Sequence, residues 1–258
     1  MLLPAGLTRP ERRLAIIASL ALVSILSWAY VVHVARAPSM SGMAMDMPMP
    51  GMSASFTATF LGLFAMWVAM MAGMMLPAVL PTVLLFTTIA RQRRETGGAQ
   101  LSVPAFVLGY LLIWVGFSAL AALLQTRLSV ALLDPAPHTR PASIAAGVLL
   151  LLTGAYQWTP LKTACLNHCR SPLAHFSAHW HAGTAGALRM GAEHGTLCLA
   201  CCWLLMGLLF VGGVMNPLWV GGLALLVLLE KLVPRGDLLG RIVGVGLVVW
   251  GAFLVVRR

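Results

Sequence analysis

The chain's 258 residues are 60% hydrophobic and 9% charged, with a formal net charge of +10. A soluble domain carries about 25% charged residues, so this composition excludes an ordinary soluble fold. The basic residues are scattered, with no stripe and no recognition motif, which excludes a nucleic-acid-binding surface.

Apolar runs long enough to span a bilayer recur along the chain and predict an all-α, polytopic transmembrane bundle of about seven spans. The first covers Leu14 to Val34. The small-x-small triplet Ala35-Arg36-Ala37 follows it, but the apolar core is long for a signal peptide and Pro38 disfavours cleavage. It is therefore expected to be an uncleaved anchor (residues 1–35); cleavage would leave six spans. The second span starts at Phe56 and runs toward Ala90. The third covers Val103 to Leu124, the fourth Ala142 to Trp158, and the fifth Thr196 to Val214. The sixth covers Pro217 to Val233 and the seventh Arg241 to Val256. Residues 56–258 form the expected transmembrane domain, interrupted by a polar Cys/His-rich loop at 161–195.

The basic residues set the orientation. With a cytoplasmic N-terminus, the inner side holds Arg9, Arg12, Arg13, Arg91, Arg93, Arg94, Lys162, Arg170, Arg189, Lys231, Arg235 and Arg241. The outer side holds Arg36, Arg127, Arg140, Arg257 and Arg258. This bias predicts a multi-pass protein of the bacterial inner membrane, in contact with lipid. Glu230 and Lys231, at a predicted helix end, are expected to snorkel to the interface.

Sulfur residues stand out against this apolar background. The outer segment 36–55 contains "PSMSGMAMDMPMPGMS", which spaces Met40, Met43, Met45, Met47, Met49 and Met52 among Gly, Pro and Ser. Such a segment has no core to bury, and a thioether needs no deprotonation to hold a soft ion such as Cu(I). In the second span, "MWVAMMAGMMLP" places Met66, Met70 and Met74 in one i+4 row and Met71 and Met75 in another. Gly73 among them admits a neighbouring backbone. Met also fills irregular cores, so the density of the ladder, rather than any single Met, suggests ligation.

The segment 161–195 brings Cys165, His168 and Cys169, then three more histidines, then His194. Cys165 and Cys169 would face the same way on a helix, but the spacing is not that of a zinc ribbon. Next, "CLACCWLLM" sets Cys198, Cys201 and Cys202 at i, i+3 and i+4, with Met206 one turn further on. Three thiols on one face are more than small-residue packing requires. If the second and fifth spans are neighbours, Met71, Met74 and Met75 would meet Cys201 and Cys202 in the inner half of the membrane. Thiolate and thioether donors favour Cu(I); zinc is the second candidate, through Cys165, Cys169 and the histidines.

The ordered strings "MWVAMMAGMMLP", "YQWTPLKTACLNHCRSP", "GTLCLACCWLLM", "MNPLW" and "EKLVPRG" resemble a bacterial family of predicted metal-binding integral membrane proteins. That family is of unknown function and is sometimes described as copper chaperone. The likeness runs from Phe56 to Gly251. It implies metal binding, with copper the expected metal, and maps onto Met66, Met70, Met71, Met74, Met75, Cys165, Cys169, Cys198, Cys201 and Cys202. The expectation is a non-enzymatic protein that captures Cu(I) and delivers or translocates it between donor and acceptor proteins, alone or as a homo-oligomer. No phosphate-binding loop is present to drive a pump. A membrane thiol–disulfide oxidoreductase using the two Cys clusters is the alternative; an impermeant thiol reagent reacting from the periplasmic face would favour it.

Overall fold

The computed structural model describes residues 9–36, 56–92, 102–128, 140–173, 176 and 180–257, which are helical with short breaks and contain no strand. α1 is Arg9–Arg36, α2 Phe56–Gln92, α3 Ser102–Leu128 and α4 Arg140–Tyr156. α5 is Pro160–Arg170, α6 Gly183–Gly207, α7 the single turn Leu209–Gly212, α8 Pro217–Leu232 and α9 Gly236–Val256.

Among the described residues, five helical stretches are long and apolar enough to cross a membrane: α1, α2, α3, α6 with α7, and α9. A sixth arises if α4 and α5, bent by 65° at their junction, count as one broken span. The expectation of seven is corrected at two places. α8 has 16 residues, about 24 Å at 1.5 Å per residue, short of a hydrocarbon core of about 30 Å. α4 ends at Tyr156 because Thr159 and Pro160 start a new helix. The Thr159 side chain accepts a hydrogen bond from the Lys162 amide, and proline stands at the first helical position.

The segment 161–195 is likewise not the loop its polarity suggested. It contains α5 and the first turns of α6, whose exposed start is braced by an Arg189–Glu193 pair at 2.9 Å, spaced i,i+4. The expected calls at residues 37–55, including Met43, Met45, Met47 and Met49, lie outside the described residues, as do His175 and His179.

α1, α2, α3 and α6 pack in that order, and α4 pairs with α9; α5 lies on α6, while α8 touches α2, α5 and α9. Two seams are made by glycine. At α3–α6, a Cβ on Gly109 would collide with the Leu188 carbonyl, and one on Gly191 with the Phe106 carbonyl. At α4–α9, Cβ atoms on Gly147 and Gly154 would lie 3.0 and 2.7 Å from the carbonyls of Gly251 and Gly244. Small residues let helix backbones touch where lipid supplies no hydrophobic drive.

α2 continues through Pro77 and Pro81. Pro77 has no N–H for the carbonyl of Gly73, one turn earlier. Ser24 Oγ of α1 donates to that oxygen at 2.9 Å instead. Gly73 also admits α1 closely, since its Cβ would sit 3.3 Å from Ser27 and Trp28.

Replacing Gly191 with Leu is expected to cost at least the ~1–3 kcal/mol typical of overpacking. The obstruction is backbone, which cannot rotate away. A lowered thermal midpoint in detergent checks this; an unchanged midpoint would show that α3 and α6 are not in contact there.

Candidate metal centre

All five Mets of the α2 ladder (Met66, Met70, Met71, Met74 and Met75) are buried, beside the fully buried Trp67. None faces lipid. Burial alone suits packing as well as ligation, so the neighbours decide the chemistry.

The thiols of Cys198, Cys201 and Cys202 are each about 1% exposed on α6, and Met206, one turn above Cys202, is fully buried. α5 lies on α6 with its Cys165 and Cys169 turned inward. The Cys169 side chain interacts with those of Cys198 and Cys201, and Cys165 lies within electrostatic range of Cys201. Two Cys groups some thirty residues apart in sequence are thus neighbours. All five cysteines are free. Cys201 and Cys202 donate their S–H groups to the Cys198 carbonyl at 3.0 and 3.1 Å.

Tyr110 of α3 joins the thiols to the ladder. Its hydroxyl donates to the Met75 carbonyl at 3.4 Å and hydrogen-bonds Cys198 Sγ at 3.1 Å. Further along, Trp67 of α2 packs on Phe210 of α7 with ring centroids 5.1 Å apart. α2 and α6 therefore run in opposite directions between two anchor points. On α2 that interval holds Met70, Met71 and Met74; on α6 it holds Cys201, Cys202 and Met206. α3, packed on both, mediates the relation between them.

His194 is buried one turn before Cys198, with its ring 6.0–6.4 Å from those of Tyr110, Phe106 and Phe176. It lies within electrostatic range of Cys198. His168 is exposed on α5, whereas Cys165 and Cys169 are buried. The three do not close into a zinc-binding set.

Charged groups complete the centre, and reading the sequence missed them. Glu230 is 1% exposed and Lys231 8%, so neither snorkels. Lys231 Nζ donates to Cys198 Sγ at 2.8 Å. Lys162, also buried, donates to both carboxylate oxygens of Glu230 at 2.8 and 2.9 Å and to the side-chain oxygen of Gln157. The Gln157 Nε2 is buried without a partner. Arg170 Nη2 donates to the Val233 carbonyl at 2.6 Å and ties the end of α5 to the end of α8. The signal was in the strings already singled out: "YQWTPLK" contains Gln157 and Lys162, and "EKLVPRG" contains Glu230 and Lys231. Burial of Lys162 and Lys231 also removes them from the loop charges that set orientation.

Among the described residues, no three His, Cys, Asp or Glu side chains already converge as a metal-binding group. The thiols face a carbonyl and an ammonium. The available donors are nonetheless soft, thiol from α5 and α6 and thioether from α2, and the buried carboxylate is taken by Lys162. That donor chemistry fits a soft ion and is poor for hard divalent cations.

A helical bundle with five to six stretches able to cross a membrane, and with thiols and thioethers gathered in its interior, has the make-up of a copper-handling protein. Over residues 64–254 the chain matches the PpoB2 family model, described as copper chaperone, and it belongs to that family. No curated protein and no solved structure matches it.

Proposed function

We propose that the protein holds Cu(I) between the Met ladder of α2 and the thiols of α5 and α6, within the bacterial inner membrane, and passes it to an acceptor protein. It performs no catalysis of its own. One observation carries this reading: Cys169, Cys198, Cys201 and Cys202 gather at one place, and Tyr110 connects that place to the ladder at Met75. Membership in the copper chaperone family supports it. The Met-rich segment 36–55, on the outer side of the proposed topology, would capture the ion from a donor.

Cu(I) suits a set of two or three sulfurs, and thioethers add donors without adding charge. Cys201 and Cys202 would turn about χ1 from the Cys198 carbonyl toward the ion, exchanging one staggered rotamer for another. The Cys198 carbonyl keeps its own helical hydrogen bond.

The test is Cu(I) titration of the purified protein with a count of Cu–S neighbours by X-ray absorption. Replacing Met70, Met71, Met74 and Met75 together with Leu is expected to weaken Cu(I) binding by at least the ~10–100-fold that loss of a supporting contact costs a metal site. Leu preserves volume, so the fold should survive. Undiminished Cu(I) binding would reduce the ladder to packing.

A further inference from the structure

Between α1 and α2, close contact gives way to a cavity. At Gly73 the helices touch, and Ser24 closes the contact through its hydrogen bond to the Gly73 carbonyl. One turn on, Ala21 of α1 and Pro77 of α2 are too short to fill the gap, and a cavity of about 210 Å³ opens there. Ile17, Leu76 and Leu80 also line it. Its volume is that of about seven waters at ~30 Å³ each, but a buried water needs two to four polar partners. Among the described residues of the lining, Ser24 is the one polar side chain, and it already donates to Gly73. An apolar cavity stays dry or takes an apolar guest. This one is reached from the outside of the bundle, because Ile17 and Ala21 are exposed.

Resting on the membrane location proposed above, we infer that this cavity holds an acyl chain of an anionic phospholipid, with the lipid phosphate at the arginine-bearing ends of α1 and α2. The two helices are antiparallel neighbours, so the start of α1 and the end of α2 lie at the same end of the pair. Arg13 stands one turn before Ile17, about 6 Å along the axis, and the apolar run of α1 begins at the next residue, Leu14. Arg91 stands three turns beyond Leu80, and both arginines are exposed. Together with Arg12 they outnumber the acidic Glu11, so positive charge gathers where the cavity leads toward the headgroups. Arginine matches phosphate oxygens in pairs, and basic residues at the membrane surface attract anionic lipid. A chain anchored there would run along α1 past Ile17 and Ala21 to Ser24. Leu76 and Pro77 directly follow Met75 of the ladder, so the lipid would pack where proline interrupts the hydrogen bonding of α2. Apolar burial alone would accept any lipid; the arginines supply the preference for negative charge.

The experiment places the full-length protein in phosphatidylcholine vesicles that carry a trace of photoactivatable lipid. The probe is either phosphatidylglycerol or phosphatidylcholine, each with the same diazirine-bearing acyl chain, and peptide mass spectrometry locates the labelled residues. Labelling is scaled to the exposed Ile242 and Val249 of α9. The phosphatidylglycerol probe is expected to label residues 17–25 and 76–80 about fivefold or more above the phosphatidylcholine probe. Arg13→Gln combined with Arg91→Gln should bring the two probes level. Ala21→Phe, which fills the cavity from an exposed position, should remove the labelling at Leu76 and Leu80. Equal labelling by the two probes in the wild type, a result that needs no variant to fold, would overturn the inference and leave unselective boundary lipid. Unchanged labelling in Ala21→Phe, or an unchanged preference in the double arginine variant, would overturn it as well. Labelling that reaches the rest of α1 and spares the cavity would show a second copy of the chain covering it, and would overturn it too. Absence of labelling on every helix by both probes would overturn the membrane location itself, whereas equal labelling defeats only the lipid site.

Discussion

Glu230→Ala is expected to lower stability by about 3–5 kcal/mol, the usual consequence of breaking a buried ion pair by removing one partner. The loss comes less from the missing attraction than from what remains. Lys162 would keep only Gln157, whose amide is already incompletely bonded. Glu230 also packs closely on α9, where a Cβ on Gly240 would lie 2.7 Å from its Oε1, so the change would loosen the α5, α8 and α9 junction under the thiols. Thermal unfolding in detergent reads the effect. Replacing both Lys162 and Glu230 with Met should recover most of it, since apolar groups of similar volume often substitute for a buried pair at little cost. Equal destabilisation by the single and double changes would show that shape, not charge, matters at this point.

The second large effect is expected at Cys198. Cys198→Ala removes the partner of Lys231 and leaves its ammonium buried against Tyr110 and the remaining thiols, again at about 3–5 kcal/mol. Cys201→Ala and Cys202→Ala each forfeit one S–H hydrogen bond to a carbonyl, worth about 1 kcal/mol. Three chemically identical substitutions within one turn of helix should therefore divide into one severe and two mild, as read from thermal midpoints without metal. Combining Cys198→Met with Lys231→Met should restore stability without restoring the thiol. Equal midpoints for the three alanine variants would mean that Lys231 and Cys198 are not a charge pair.

The sulfur half of the candidate centre was legible in the sequence as a pattern, because its signal is periodic. Methionines at i+4 and thiols at i, i+3 and i+4 state their own geometry once a helix is assumed, and the structure buries each of these residues. The convergence of Cys169 on Cys198 was not legible. It depends on α5 being a helix, and an eleven-residue stretch that opens on a proline, mixes polar with apolar residues and leads into a histidine-rich stretch looks like a loop. The charged half was hidden for a different reason. A Glu-Lys pair at the end of an apolar run reads as snorkelling, and only a neighbouring Lys162 or Cys198, distant in sequence, makes inward burial affordable. The count of spans failed where length and composition part: α8 is apolar throughout its first thirteen residues yet too short to cross.

One hydrogen bond has a consequence for the N-terminal span. The oxygen that Pro77 abandons lies between Met71 and Met74 of the ladder, and its donor belongs to another segment, Ser24 of α1. α1 thus serves as a splint across the weak point of a proline-bearing rod. A protein beginning at Phe56 should still insert, but its α2 should exchange amide hydrogens faster around Gly73 to Pro81 and hold the upper and lower sulfurs in looser register.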